Sequence, residues 1–206
     1  MKSVIHPTYF PSIAHFVVMA NHDVIFEAED NYQKQTYRNR AYIYGPNGKQ
    51  LLSVPMKHTK KDGRQKYKEV QIENDFNWQK QHWKTLETAY RTSPFFEFYE
   101  DEIRPLFKKK HTYLIDLNFE TIQLVCDCLQ LDINFNKTTT YLPDYKDYKD
   151  YRHLAVAKTA GSPVLEPYTQ VFEEKNGFIN NLSILDLLFN EGTNALTYLE
   201  NQKNKL

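Results

Sequence analysis

The sequence predicts an α/β or α+β protein: a mixed sheet opened by a strand-helix-strand unit and a hairpin, then a mainly helical carboxyl-terminal half. Three observations carry this. The β-branched pair Val4-Ile5 is followed by apolar residues at helical spacing and then by the apolar run Val24-Ile25-Phe26. Asn47-Gly48 separates two strand-like segments, and from Trp78 onward large apolar side chains recur three and four residues apart.

Each element has a local cause. The first strand, near Ser3 to His6, ends because Pro7 and Pro11 supply no backbone N–H to a ladder. Ile13, Phe16, Val17 and Ala20 then form one helical face, closed at Asn21-His22. The second strand follows and leads to Glu29-Asp30; a strand-helix-strand order of this kind gives a parallel crossover. Residues 37–44 and 50–56 flank Gly45-Pro46-Asn47-Gly48 as a hairpin. A basic connection, residues 57–68, leads to a further antiparallel segment at Val70 and Ile72.

The helical half begins with Trp78, His82, Leu86 and Tyr90, four apart, with Trp83 and Ala89 beside them. Ser93-Pro94 predicts the start of the next helix, which carries Phe95, Phe98, Tyr99, Ile103 and Phe107 and is kinked by Pro105. Another helix is expected over residues 119–131 and a short strand over 133–135. The triplet repeat Asp144-Tyr145-Lys146, Asp147-Tyr148-Lys149, Asp150-Tyr151 reads as a surface segment. Residues 182–189 form the clearest late helix, with Ser183 and Asp186 spaced as a capping box. Gly192 stops it, and Thr193 or Asn194 caps a last helix through Leu199.

Length and charge bound the function. At 206 residues one domain, 1–206, buries its own core. Lysine plus arginine equal aspartate plus glutamate at 26 each, so no global field favours nucleic acid or an anionic membrane. A local basic stretch (Lys57, Lys60, Lys61, Arg64, Lys66, Lys68) offers the best nucleic-acid argument, which the neutral total weakens. The amino terminus has no apolar signal region and no stretch suits a membrane span, so a cytoplasmic location is expected. Cys126 and Cys128, two apart in a helical run, read as reduced packing residues. The six glycines form no dinucleotide fingerprint or phosphate loop, and the seven histidines lack zinc spacing. No cofactor or metal is therefore expected.

The chemistry concentrates at the ends of the first two strands. If they are parallel neighbours, His6 meets Glu29 and Asp30 where open α/β sheets bind ligands. A neutral imidazole takes a proton near pH 7, and an adjacent carboxylate orients it and supports its charged form. His6 is the expected base, with Asp30 or Glu29 as its partner. Tyr9 lies next to this strand end, and residues 34–40 come straight after the second strand. Tyr9, Lys34, Asn39 and Arg40 are the expected substrate-binding residues, because lysine and arginine suit anions and asparagine suits hydroxyl or amide groups. Alternation would put Arg38 and Arg40 on one strand face and Asn39 on the other, with Arg38 the one better read as edge-strand decoration.

Several of these residues together resemble the WbqC-like proteins. They are His6-Pro7-x-Tyr9-Phe10-Pro11, Asp23, Asp30, Asn39-Arg40, Pro46-Asn47-Gly48 and Leu52-Ser53-Val54-Pro55; Trp78, His82 and Tyr90; and the closing run Leu182-Ser183-Ile184-Leu185-Asp186-Leu187-Leu188-Phe189-Asn190-x-Gly192. The resemblance spans residues 3–110 and 165–192. It implies a bacterial cytoplasmic protein linked to surface-polysaccharide or O-antigen production. The activity it implies is acyl or aminoacyl transfer onto an activated amino sugar, with a sugar nucleotide or an activated acyl donor as small-molecule partner. Where many relatives carry a tyrosine-serine-glycine segment ahead of the final helix, this chain has the Asp-Tyr-Lys repeat and a short passage to Gly161-Ser162-Pro163. The other expectation is a non-catalytic accessory protein that uses exposed Trp78, Tyr90 and Phe95 as a docking face.

Overall fold

The computed structural model describes residues 1–58, 64–156 and 163–206. Its centre is a parallel sheet of three strands in the order β2-β1-β5. Strand β1 is Lys2–Ile5, β2 is Asp23–Phe26 and β5 is Lys149–Asp150. Ser3, Val4 and Ile5 are buried, as a central strand covered on both faces requires. Helix α1, Ile13–Asn21, makes the crossover and buries seven of its nine residues. Nine helical residues and four extended ones both span about 13 Å, so this brief helix matches the strands that it joins.

A separate two-stranded sheet pairs β3, Arg40–Gly45, with β4, Gly48–Ser53, antiparallel from Arg40↔Ser53 to Gly45↔Gly48. Gly48 takes φ 97° at the reversal, a conformation that favours glycine. The mixed sheet is thus two sheets, one parallel and one antiparallel. The segment at Val70 and Ile72 contributes only isolated antiparallel bridges, Met56↔Ile72 and Gln71↔Tyr113.

The rest is mainly helical: α2 Trp78–Tyr90, α3 Phe96–Ile103, α4 Leu114–Leu129, α5 Glu173–Asn176, α6 Ile184–Glu191 and α7 Ala195–Asn201. On α2 the stripe Trp78, His82, Trp83, Leu86, Ala89 and Tyr90 is buried, as its spacing predicts. Ser93 does not cap α3. Its hydroxyl donates to Tyr90 O at 2.7 Å and closes α2, and α3 begins three residues later. Helix α4 starts five residues ahead of expectation, because Leu114, Ile115 and Leu117 join the core. Residues 133–135 are not a strand; β5, inside the Asp-Tyr-Lys repeat, fills the third place in the sheet instead.

Helix α6 is capped by the Ser183 hydroxyl, which accepts from Leu185 N–H, a contact worth about 1 kcal/mol. Asp186 does not complete a capping box. It turns inward and accepts from Tyr90 OH (2.7 Å), Tyr168 OH (2.5 Å) and Gln170 Nε2 (2.8 Å). Tyr90 OH also accepts from Tyr44 N–H, and Ser183 N–H donates to Tyr42 O, so the hairpin is fastened to α2 and α6. One contiguous set of buried side chains runs from Ile5 through Leu199. Cys126 is buried and Cys128 partly so, and burial pushes the Cys126 thiol up to about 12, which keeps it protonated. Among the described residues no helix is long and apolar enough to cross a membrane.

Candidate active site

Parallel register decides what meets at the sheet's carboxyl edge. Ile5 pairs with Phe26 and Val4 with Asp150, so the residues that follow all three strands emerge on the same side. Glu27 N–H donates to Ile5 O and Tyr151 N–H to Val4 O, which carries the alignment just beyond the strands. A cavity of about 410 Å³ opens there, lined by His6, Asp30 and Arg38 from one side and by Tyr141, Asp150 and Arg152 from the other. Gln33, His153 and Val156 complete its wall.

His6 is 4% exposed and Arg38 1%. Arg38 Nη2 donates to His6 Nε2 at 2.8 Å and to Asp30 Oδ2 at 3.2 Å, while His6 Nε2 and Asp30 Oδ2 are 3.3 Å apart. A guanidinium offers only donors, so Nε2 is the acceptor and the neutral imidazole carries its proton on Nδ1. Burial lowers the His6 pKa below its ordinary value, with the Arg38 charge acting in the same sense and Asp30 opposing. Partial burial works against the Asp30 carboxylate; His6, the Asn31 N–H and Arg38 outweigh it and hold that carboxyl low. At neutral pH the trio is a neutral base, a carboxylate and a guanidinium.

Arg38 is held from behind. Asn118 Nδ2 donates to its carbonyl at 2.7 Å, its guanidinium lies 5.6 Å from the Tyr67 ring centre, and Tyr67 OH donates to Pro7 O. On the opposite wall Arg152 grips both Asp150 oxygens and donates to the carbonyls of Leu142 and Pro143. Its guanidinium also lies against the rings of Tyr141 and Tyr145. Beneath, the buried Glu27 accepts from Thr138 and Tyr145 hydroxyls, each at 2.8 Å.

The structure brings His6 and Asp30 together and sends the other expected residues elsewhere. Glu29 turns away from the cavity: its carboxylate accepts from Lys68 at 2.8 Å, and its backbone carbonyl accepts from Lys66. Tyr9 is fully buried with its OH 3.0 Å from His82 Nδ1, so it belongs to the core. Lys34, Asn39 and Arg40 line a different cavity, on the far side of the 30–40 segment. The alternation argument fails because β3 begins at Arg40; Arg38 precedes the strand and points to His6. Arg38, Asp150 and Arg152 line the His6 cavity and were not singled out by sequence reasoning. For Arg152, the one signal was its position at the end of the tyrosine repeat.

Trp78 and Tyr90 are buried and Phe95 is half-buried, so the aromatic face is occupied by the protein's own core. In the basic stretch, Lys60 and Lys61 lie outside the described residues, and Lys66 and Lys68 are both engaged by Glu29. Among the described residues, no group of three or more histidine, cysteine or acidic side chains is arranged to hold a metal ion.

Comparison with known proteins adds a family. The WbqC-like protein family matches residues 6–165. The chain is also 27% identical to "Uncharacterized protein Rv1507c" of Mycobacterium tuberculosis, over 96% of each chain. No solved structure matches the chain.

Proposed function

The chain belongs to the WbqC-like protein family, and from that premise and the site's geometry we propose that it is a transferase acting on an activated amino sugar. The reaction is acyl or aminoacyl transfer in surface-polysaccharide biosynthesis. The observation that carries this reading is the buried, neutral His6 imidazole 3.3 Å from the Asp30 carboxylate, facing a 410 Å³ cavity at the carboxyl edge of a parallel sheet.

In this reading the sugar's amine attacks the acyl carbonyl carbon, and the bond from that carbon to its carrier breaks. The amine proton passes to His6 Nε2, and the departing carrier atom takes a proton in turn. Asp30 stabilises the imidazolium that forms; such general-base help contributes ~10²- to 10⁴-fold. Arg38 Nη2 donates to the Nε2 lone pair, so a substrate oxygen must draw that donor away before the base acts. That same donor then faces the oxyanion that develops on the acyl group. In the cavity lining Arg38 and Arg152 balance Asp30 and Asp150, which suits the uncharged, hydroxyl-bearing ring and neutral amine of the sugar.

The test is turnover of a uridine-diphosphate-linked amino sugar with acetyl-coenzyme A or an aminoacyl adenylate, followed by mass spectrometry. His6→Ala and Asp30→Asn should lower turnover by at least ~10²-fold, with the melting temperature of His6→Ala nearly unchanged. A melting temperature many degrees lower, with residual activity proportional to folded protein, would make His6 a scaffold residue.

A further inference from the structure

The segment from Asp30 to Arg40 is a wall with a cavity on each side. Asp30, Gln33 and Arg38 face the His6 cavity, whereas Tyr32, Lys34, Asn39 and Arg40 face a second one of about 310 Å³. Lys57 and His58, a few residues beyond β4, also line the second cavity.

The charge in this second cavity is one-sided. Lys34, Arg40 and Lys57 bring three cations, and none of its described lining residues is a carboxylate. Among the described residues these three side chains make no ion pair, in contrast to neighbouring Lys68, which is paired with Glu29. The Nε of Arg40 is buried and has no acceptor. A buried donor without a partner is costly, and like charges gathered in a concave site repel one another; a bound anion relieves both. The wall is also pre-set. Asn39 donates to Val54 O at 3.1 Å and accepts from Tyr32 OH at 3.1 Å, which fixes the polar edge beside Arg40. Next to Lys34, Gln35 sits at φ 62°, an uncommon conformation for a residue with a side chain.

We propose that this second cavity binds the phosphate portion of a phosphorylated small molecule, with Arg40 as the directional donor and Lys34 and Lys57 as point charges. Arginine's planar fork suits two phosphate oxygens and lysine contributes charge with little geometric demand, so the set matches a phosphate or pyrophosphate group. The cavity's volume lies at the small end for ligand sites, which fits one or two phosphates and part of what they carry. Recognition here rests on side chains, in keeping with a chain that has no glycine-rich phosphate loop. The site goes beyond the transfer reaction and stands independently of it.

Isothermal titration of the full chain with inorganic pyrophosphate, uridine diphosphate and uridine tests the assignment. Pyrophosphate and uridine diphosphate should bind saturably at one site, and uridine should not. Arg40→Gln should weaken both by about tenfold or more, as loss of a charged hydrogen bond does. Lys34→Gln and Lys57→Gln, both on exposed side chains, should each weaken them several-fold without changing the melting temperature. Lys68→Gln removes an equal charge outside the cavity and should leave affinity within about twofold. His6→Ala should bind pyrophosphate as the unaltered protein does, so loss of the transfer reading would leave this one intact. The proposal is overturned by absent binding, by equal loss in Lys68→Gln, or by a single-stranded oligonucleotide that binds and is not displaced by pyrophosphate.

Discussion

Arg38 Nη2 lies 2.8 Å from His6 Nε2, so a permanent cation donates to the atom that would take a proton in catalysis. Arg38 thereby opposes protonation of His6, while Asp30, 3.3 Å away, favours it. Arg38→Gln removes the charge that acts with burial against Asp30, so the His6 pKa should rise from its lowered position while burial goes on opposing the charged form. Since the base must be neutral to act, the acid limb of the rate profile should move to higher pH by the same amount. NMR titration of the His6 ring reads this directly; an unmoved or lowered pKa would mean that Arg38 does not set the protonation state.

Burial also holds His15 down to about 3 and His82 to about 4. As pH falls below 6.5, unfolded imidazoles take up protons while these two stay neutral, so the unfolded state binds more protons. Stability contributed by the neutral, buried form is therefore complete above pH 6.5 and declines toward pH 4. For His82 alone, a displacement from 6.5 to about 4 amounts to about 3 kcal/mol by pH 4. Melting temperature should fall steadily over that range, and His82→Gln should flatten the slope. A melting temperature constant from pH 7 to about pH 4.5 would contradict the assignment.

Asp186 gathers three donors from sequence-distant segments, Tyr90, Tyr168 and Gln170. Burial pushes its carboxyl pKa up, and the three donors pull it back. Asp186→Ala strands them all in the interior and should cost about 3 kcal/mol or more. Asp186→Asn keeps one carbonyl acceptor and should cost less. Urea unfolding checks this through a lower midpoint at unchanged slope. Equal losses for the two variants would show that side-chain volume, not hydrogen bonding, is what Asp186 supplies.

What could be read in advance depended on whether the cause was local. The first strand, its crossover helix and the Asn47-Gly48 hairpin follow from proline positions, helical spacing and a turn pair, all within a few residues. The Ser183 cap was legible for the same reason. Asp186 was misread because a carboxylate three residues after that serine has capping-box spacing, whereas its partners lie 96, 18 and 16 residues away. Strand β5 has two exposed residues, Lys149 and Asp150, and its place in the sheet comes only from pairing with β1. Adjacent Glu29 and Asp30 were indistinguishable as partners for His6 until the turn after β2 sent one to Lys68 and the other to Arg38.

Glu27 ties that turn to the wall built by the tyrosine repeat. One of its oxygens accepts from Thr138 OH and Glu29 N–H, and the other accepts from Tyr145 OH with Arg152 at 3.7 Å. The chain from 138 to 152 otherwise meets the sheet through few backbone bonds, so this carboxylate fixes where Tyr141 and Arg152 stand in the His6 cavity. Glu27→Ala should cost about 3 kcal/mol, as removal of one partner from a buried ionic cluster does. Hydrogen exchange should quicken at the amides of residues 138–152 while α2 and α6 keep their protection. Glu27→Gln preserves the acceptor toward one hydroxyl and should fall between the two. A uniform rise in exchange along the whole chain would instead make Glu27 a general stabiliser, leaving the position of the cavity wall to the pairing of β5 with β1.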